Sequence, residues 1–134
     1  MERPQIEDLL LRWLSIIQTG NVALFDDILS EYVCDHSSAA PAYGTQTFKL
    51  RARSVHDAFS DLETALEALV VEGDRIAWRW SINATHTAPF AGIAATGKRV
   101  TLRGVNFQRL ENGRIVEHFT LADTFGLLTS LRAP

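Results

Sequence analysis

The chain has 134 residues and a mass of 14.9 kDa, with 46% hydrophobic and 22% charged residues, which is one domain's worth of an ordinary globular composition. Thirteen basic residues against sixteen acidic ones leave a net charge of −3, so duplex nucleic acid and anionic membrane, both of which need concentrated Lys and Arg, are not expected partners. One cysteine, Cys34, excludes an internal disulfide and leaves too few thiolates for a cysteine-based zinc or iron–sulfur site.

From Gln5 to Thr19, apolar residues recur at Ile6, Leu9, Leu10, Trp13, Leu14 and Ile17. That spacing predicts a helix, with Pro4 near its start and Gly20 just past its end. Glu7 and Asp8 stand just before the apolar stretch, which argues against a secretory signal, so the expected address is cytoplasmic. No apolar run approaches the roughly 20 residues that span a bilayer. Asn21 is placed to cap a second short helix with Leu24, Phe25, Ile28 and Leu29 as its inner face. Tyr32–Cys34 reads as a short extended piece, followed by a loop from Asp35 to about Thr45. Phe48, Ala52, Val55 and Phe59 predict a third helix between Thr47 and Phe59.

The period then changes to two. Gly73-Asp74 separates Val70–Glu72 from Arg75–Ile82, and Glu111-Asn112-Gly113 separates Arg99–Leu110 from Arg114–Asp123; both read as strand, turn, strand. Leu62–Leu69 is in conflict with itself. Its Leu, Ala and Glu favour helix, yet the Gly-Asp turn gives Arg75–Ile82 an antiparallel partner there, so it is read as strand. Phe125–Leu131 closes the chain as a turn or short helix. No linker or repeat divides residues 1–134. The expected fold is a single α+β domain in which a long, curved, four-stranded antiparallel sheet wraps the N-terminal helices into a cone with an apolar hollow. Such hollows take small apolar molecules.

Several motifs come in a familiar order. Gly73-Asp74-Arg75-Ile76-Ala77, Thr85-His86-Thr87, Phe90-Ala91-Gly92-Ile93, Thr96-Gly97-Lys98, Asn112 to Phe119, Asp123 and Phe125-Gly126-Leu127-Leu128 together resemble the SnoaL-like polyketide cyclases. Tyr32-Val33 before His36, and Phe59-Ser60-Asp61-Leu62, resemble the same pattern. The resemblance implies the cone of the nuclear transport factor 2-like superfamily and, by analogy, a homodimer. It also implies an aspartate, here Asp123, as general acid/base of an intramolecular aldol closure. The chain departs from the pattern where Ala84 and Ala88 replace glycines, Ala94 and Ser60 replace prolines, and Phe119 replaces a tryptophan.

The strand pattern gives Asp123 its own reading. Ile115, Phe119 and Leu121 share its parity, so an interior Asp123 beside a lining Phe119 is expected, where burial would push the carboxyl up and make it a usable acid/base. The alternative is an aspartate capping the helix that follows. His86 shares a face with Trp78, Trp80 and Ile82, so it is a candidate proton relay at the rim of a pocket that Trp80 would help line. His36 enters a loop, where site residues are often mounted. If Leu110 pairs with Arg114, Arg103 lies diagonal to Asp123 inside the cone. A single bulge would instead present Leu102, Gly104 and Asn106, and the amide of Asn106 would then suit an enolate oxygen. Trp13 is a candidate lining residue from the first helix. His118, on the parity opposite to Asp123, is expected outside or at a subunit contact, and His56 in solvent. The scattered histidines offer no metal-ligand spacing. No glycine-rich phosphate loop or serine elbow is present, so neither a metal nor a cofactor is implied. The expected activity is ring closure on an apolar polyketide-type molecule by acid/base catalysis. A double-bond isomerase, dehydratase or epoxide-opening enzyme, or a non-catalytic binding or dimerisation module, are the alternatives.

Overall fold

The computed structural model describes residues 1–134. Helix α1 (Arg3–Thr19) carries Pro4 in its first turn and ends at Gly20, which takes the left-handed φ of 75° and donates its N–H to the Ile16 carbonyl at 2.8 Å. A Cβ on Gly20 would also strike the His56 ring at 2.6 Å. His56 therefore packs half-buried on the end of α1, with Nδ1 3.3 Å from the Ile17 carbonyl oxygen, rather than lying in solvent. The face of α1 that bears Ile6, Leu9, Leu10, Trp13 and Leu14 is buried.

The second helix is shorter than its pattern predicts. A 3-10 turn (Val22–Leu24) leads into a single turn, α2 (Phe25–Ile28), and the Asn21 side chain caps neither. Phe25, Ile28 and Leu29 are buried while Leu24 is exposed, because Leu29 already begins strand β1 (Leu29–Asp35). A two-residue strand, β2 (Ala42–Tyr43), pairs with β1 inside the expected loop. Helix α3 (Gln46–Ala58) follows.

Strands β3 (Phe59–Glu72), β4 (Arg75–His86), β5 (Arg99–Glu111) and β6 (Arg114–Ala122) form the antiparallel part of the sheet, and helix α4 (Thr124–Arg132) ends the chain. The whole sheet has six strands in the order β2-β1-β6-β5-β4-β3, with β1 parallel to β6. It thus gains two strands and one parallel pair over the expected four. Leu62–Leu69 lies within β3, paired with β4 from Phe59↔His86 to Glu72↔Arg75. Tertiary pairing overrides the helix propensity of that segment. No helix is long and apolar enough to cross a membrane.

The even-numbered residues of β4 and β5 face the helices: Ile76, Trp78, Trp80, Ile82, Ala84 and His86 on β4, and Val100, Asn106, Gln108 and Leu110 on β5 are all buried. Strand β6 does not keep one parity. The turn is the two-residue Asn112-Gly113, both at positive φ (53° and 76°) as a two-residue hairpin of this hand requires. Pairing begins with Glu111↔Arg114 and Leu110↔Ile115, then jumps to Arg109↔Glu117. Val116 is the extra residue of a β-bulge. Beyond it the faces exchange, so that His118 is buried while Phe119 and Leu121 are 38% and 68% exposed. Of the two registers weighed for this hairpin the bulged one is formed, and the interior Phe119 is corrected by this one residue. Phe119 and Leu121 instead join Phe107 and Val105, their cross-strand partners, in an apolar patch on the outer face.

Candidate active site

Between α1, α3 and the concave sheet lies a cavity of about 270 Å³, and twelve of its eighteen lining residues are apolar. That is just under the roughly 300–1,000 Å³ of pockets for drug-sized ligands, so the space suits a guest of one or two rings. Trp13, Phe25 and Phe48 form the helix-side wall and Trp80, Ile82 and Leu102 the sheet-side wall, with Phe90 from the β4–β5 connection. Trp13 organises the helix side, meeting Phe25 edge-on at 5.0 Å between centroids and Phe48 at 5.8 Å. Arg51, Ser54, Asn106, His118, Thr120 and Thr124 supply the polar lining.

Two of these polar groups are buried within the wall. Asn106 is 2% exposed and accepts a hydrogen bond from Trp80 Nε1 through Oδ1 at 3.0 Å. Trp80 can lie flat over β5 because residue 104 is glycine: a Cβ there would come within 2.7 Å of Cε2 and 2.8 Å of Cη2 of the indole. His118, also 2% exposed, stacks on Trp13 at 5.3 Å and meets the edge of Phe48 at 5.0 Å. Its Nδ1 sits 2.8 Å from Gln108 Nε2. Burial pushes the His118 pKa down to about 4, against an upward pull from Asp35 and with a further downward push from Arg51, so the imidazole is neutral at pH 7.

Arg51 projects from α3 at the cavity mouth, with its guanidinium 5.3 Å from the Phe48 ring centroid and in an ion pair with the buried Asp35. Burial alone would raise the Asp35 carboxyl. The hydroxyl and backbone N–H of Ser37, with the charge of Arg51, outweigh it and hold the group below its ordinary value. Asp35 is therefore an anion behind the wall, and Arg51 is the cation that faces the opening.

Of the residues singled out in the sequence, Trp13, Trp80 and Asn106 come together in this wall. The others do not. Asp123 is exposed and outside the cavity lining; its Oδ1 accepts the Gly126 N–H at 2.9 Å, so it caps α4, the alternative that the strand pattern had left open. The desolvation that an acid/base role would draw on is missing there. Arg103 is exposed on the outer face, and its carbonyl accepts the Asp123 N–H at 2.8 Å. His36 is 45% exposed in its side chain and lies 3.4 Å from Glu117 Oε1, away from the cavity. His86 is fully buried at the far end of β4, tilted against Phe59 at 5.3 Å. Its Nδ1 accepts the Thr96 N–H at 3.2 Å, which puts the proton of the neutral ring on Nε2, a buried atom with no partner.

His118 and Arg51 were not picked out from the sequence. Arg51 had a signal: it follows Phe48 by three residues and precedes Ala52 and Val55, a charge within an apolar helical stripe. His118 needed the bulge.

Comparison with known proteins places this geometry. A family model described as SnoaL-like polyketide cyclase matches residues 7–131. No curated protein matches the chain. Among solved structures, TsrD from Streptomyces laurentii is 25% identical with a TM-score of 0.88, covering 100% of this chain and 99% of that one. AclR from Streptomyces galilaeus, provisionally assigned as a hydroxylase, is 25% identical with a TM-score of 0.85 over 97% of this chain and 82% of its own. IdmH from Streptomyces antibioticus, provisionally assigned as a polyketide cyclase, is 22% identical with a TM-score of 0.82, covering 98% of this chain and 100% of that one, a likeness of fold.

Proposed function

The chain belongs to the SnoaL-like polyketide cyclase family, and from that premise we propose that it closes or isomerises a ring on an apolar, carbonyl-bearing small molecule bound in the cavity. The observation that carries the reading is an apolar hollow of about 270 Å³ with two buried polar side chains, Asn106 and His118, in its sheet-side wall. The apolar walls fold the guest so that its reacting carbons meet, an orientation that can supply several kcal/mol of the barrier. Asn106 and His118 take its carbonyl oxygens and polarise the adjoining carbon, and a donor aimed at developing charge is typically worth about 10²–10³ in rate. Because Asp123 lies outside the wall, the proton that leaves must already be acidic, as between two carbonyls.

One observation favours a second reading: no carboxylate lines the cavity, which suits a module that binds such a molecule without turning it over. Both readings meet in one assay. The protein is incubated with an aryl polyketone able to close a carbocycle by aldol condensation, and the cyclic product is followed by absorbance. Turnover that falls about 100-fold in His118→Ala, and similarly in Asn106→Leu, is expected. Binding without turnover selects the second reading, and turnover indifferent to both substitutions overturns the assignment of the site.

A further inference from the structure

Two tryptophans on β4 set the polarity of the cavity wall. An indole N–H can only donate. Trp78 Nε1 lies 2.9 Å from Gln108 Oε1, so that amide is fixed with its oxygen towards the indole and its nitrogen towards His118. Gln108 Nε2 then donates to His118 Nδ1 across 2.8 Å. Nδ1 is an acceptor, and the single proton of the neutral ring sits on Nε2. Trp80 repeats the arrangement one step along: its indole N–H occupies Asn106 Oδ1 at 3.0 Å, leaving the Asn106 Nδ2 hydrogens for the cavity. Asn106 pairs with Thr120 and Gln108 with His118, so Asn106 and His118 are diagonal neighbours on the concave face. Neither His118 Nε2 nor Asn106 Nδ2 has a protein acceptor, and both side chains line the cavity.

We propose that this pair is an oxyanion cradle selective for the enolate form of β-dicarbonyl ligands, with Trp78 and Gln108 as the residues that position its histidine. The inference rests on the cavity assigned above and names its ligand class. On binding, the carbon between the two carbonyls loses its proton to water, the C–H electron pair delocalises onto the two oxygens, and these accept the Nε2–H of His118 and the Nδ2–H of Asn106. Hydrogen bonds to a charged acceptor are roughly twice as strong as neutral ones, so the wall favours the enolate over the parent ketone. A carboxylate or phosphate fits less well. Its concentrated charge would lose hydration against two neutral donors in an apolar wall, whereas an enolate spreads its charge over two oxygens and the carbons between them. The charged groups around His118 agree with this polarity. Asp35, on the neighbouring strand, is held by Arg51 and Ser37, and Arg51 presents a further donor at the mouth. The ring also packs against Trp13 and Phe48.

The test uses the whole protein and benzoylacetone, whose enolate is distinguished from its neutral forms by near-ultraviolet absorbance. Bound ligand should ionise at a pH about one unit or more below free ligand, a tenfold or greater rise in its acid constant. Asn106→Leu should remove most of that shift. Gln108→Met removes the donor to Nδ1 without adding a charge, so nothing holds the imidazole proton on Nε2. Most of the ligand shift should then be lost, and long-range proton–nitrogen correlation spectra should show a mixture of tautomers. Should Gln108→Met fail to fold, the wild-type spectrum decides by itself: a proton on Nε2 supports the inference and a proton on Nδ1 overturns it. Bound benzoylacetone that ionises at the same pH as the free compound also overturns it. Polyketone turnover with no shift in ligand ionisation would sink the cradle and keep the cyclase; a shift with no turnover would do the reverse.

Discussion

Gly104 is where fold and site are most tightly joined, and Gly104→Ala tests the join. The added Cβ would lie 2.7 Å from Trp80 Cε2 and 2.8 Å from Cη2, and closer still to Cζ2. Ordinary carbon contacts begin near 3.5 Å, so the indole must retreat by about 1 Å. Strand β5 cannot give way instead, since Gly104 is paired on both sides, with Trp80 and with Ala122. Overpacking of this kind costs about 1–3 kcal/mol. Losing the 3.0 Å bond from Trp80 Nε1 to Asn106 adds about 1 kcal/mol, and the better strand behaviour of alanine returns about 0.5–1 kcal/mol. The expected net loss is about 2 kcal/mol, or a fall in Tm of about 6–8 °C for a chain of this size. Urea unfolding followed by tryptophan fluorescence measures it. The atoms that clash belong to the six-membered ring of the indole and are the part that phenylalanine lacks at that depth. Gly104→Ala placed on Trp80→Phe should therefore cost almost nothing, a coupling of about 2 kcal/mol in the double-mutant cycle. Additive effects, or a single variant within about 2 °C of the parent, would refute the claim that glycine is there for the indole.

Two further expectations follow from the same geometry. Burial holds His118 near pKa 4, against 6.5 for the free side chain. The unfolded chain therefore binds a proton between pH 6.5 and 4 that the native state lacks, and stability should fall by about 3 kcal/mol as the pH drops through that window. His118→Phe should flatten the slope in denaturant titrations at pH 7, 5.5 and 4.5; an equally steep slope in the variant would place the titrating group elsewhere. Asp123→Ala should cost about 1 kcal/mol through the lost cap on α4, while Asp123→Asn, an equally good cap, should be nearly neutral. Both should keep ligand affinity and turnover, and abolished turnover in a stably folded Asp123→Asn would return the acid/base role to that carboxyl.

The parts of the fold that the sequence disclosed are those where one face is apolar and the other is not. Helix α1 shows a single stripe, from Ile6 to Ile17, and its buried face is the expected one up to Leu14; in the last turn Ile16 is buried and Ile17 only half so. The β3–β4 hairpin was legible through Gly73-Asp74, even across a segment whose composition favours helix, because a turn fixes pairing where propensity only leans. Strand β1 was half seen: Tyr32–Cys34 lies within it, but its parallel pairing with β6 joins residues some eighty positions apart, and no local pattern carries that. The resemblance to a known family supplied the cone, which local patterns outline without closing it.

Strand β6 shows why the site was harder to read than the fold. Ile115, Phe119 and Leu121 share one parity, yet only Ile115 points inward. Alternation separates inside from outside when the outer face is polar, and here the outer face is itself apolar, with Val105 and Phe107 opposite Leu121 and Phe119. The pattern was thus equally compatible with a bulge, and one inserted residue moves every side chain beyond it to the other face. Asp123 carried its own counter-signal. It stands three residues before Gly126, where any Cβ would lie within 2.9 Å of both the Asp123 carboxyl carbon and its Oδ1; a glycine at that spacing makes room for a side chain folded back onto the helix end, as a cap requires. His118 and Gln108 had no comparable local sign, because what makes the histidine useful is a proton placed by its neighbour's neighbour. Trp78, Gln108 and His118 sit on three successive strands, and only the assembled sheet puts a donor-only indole at one end of that row and the cavity at the other.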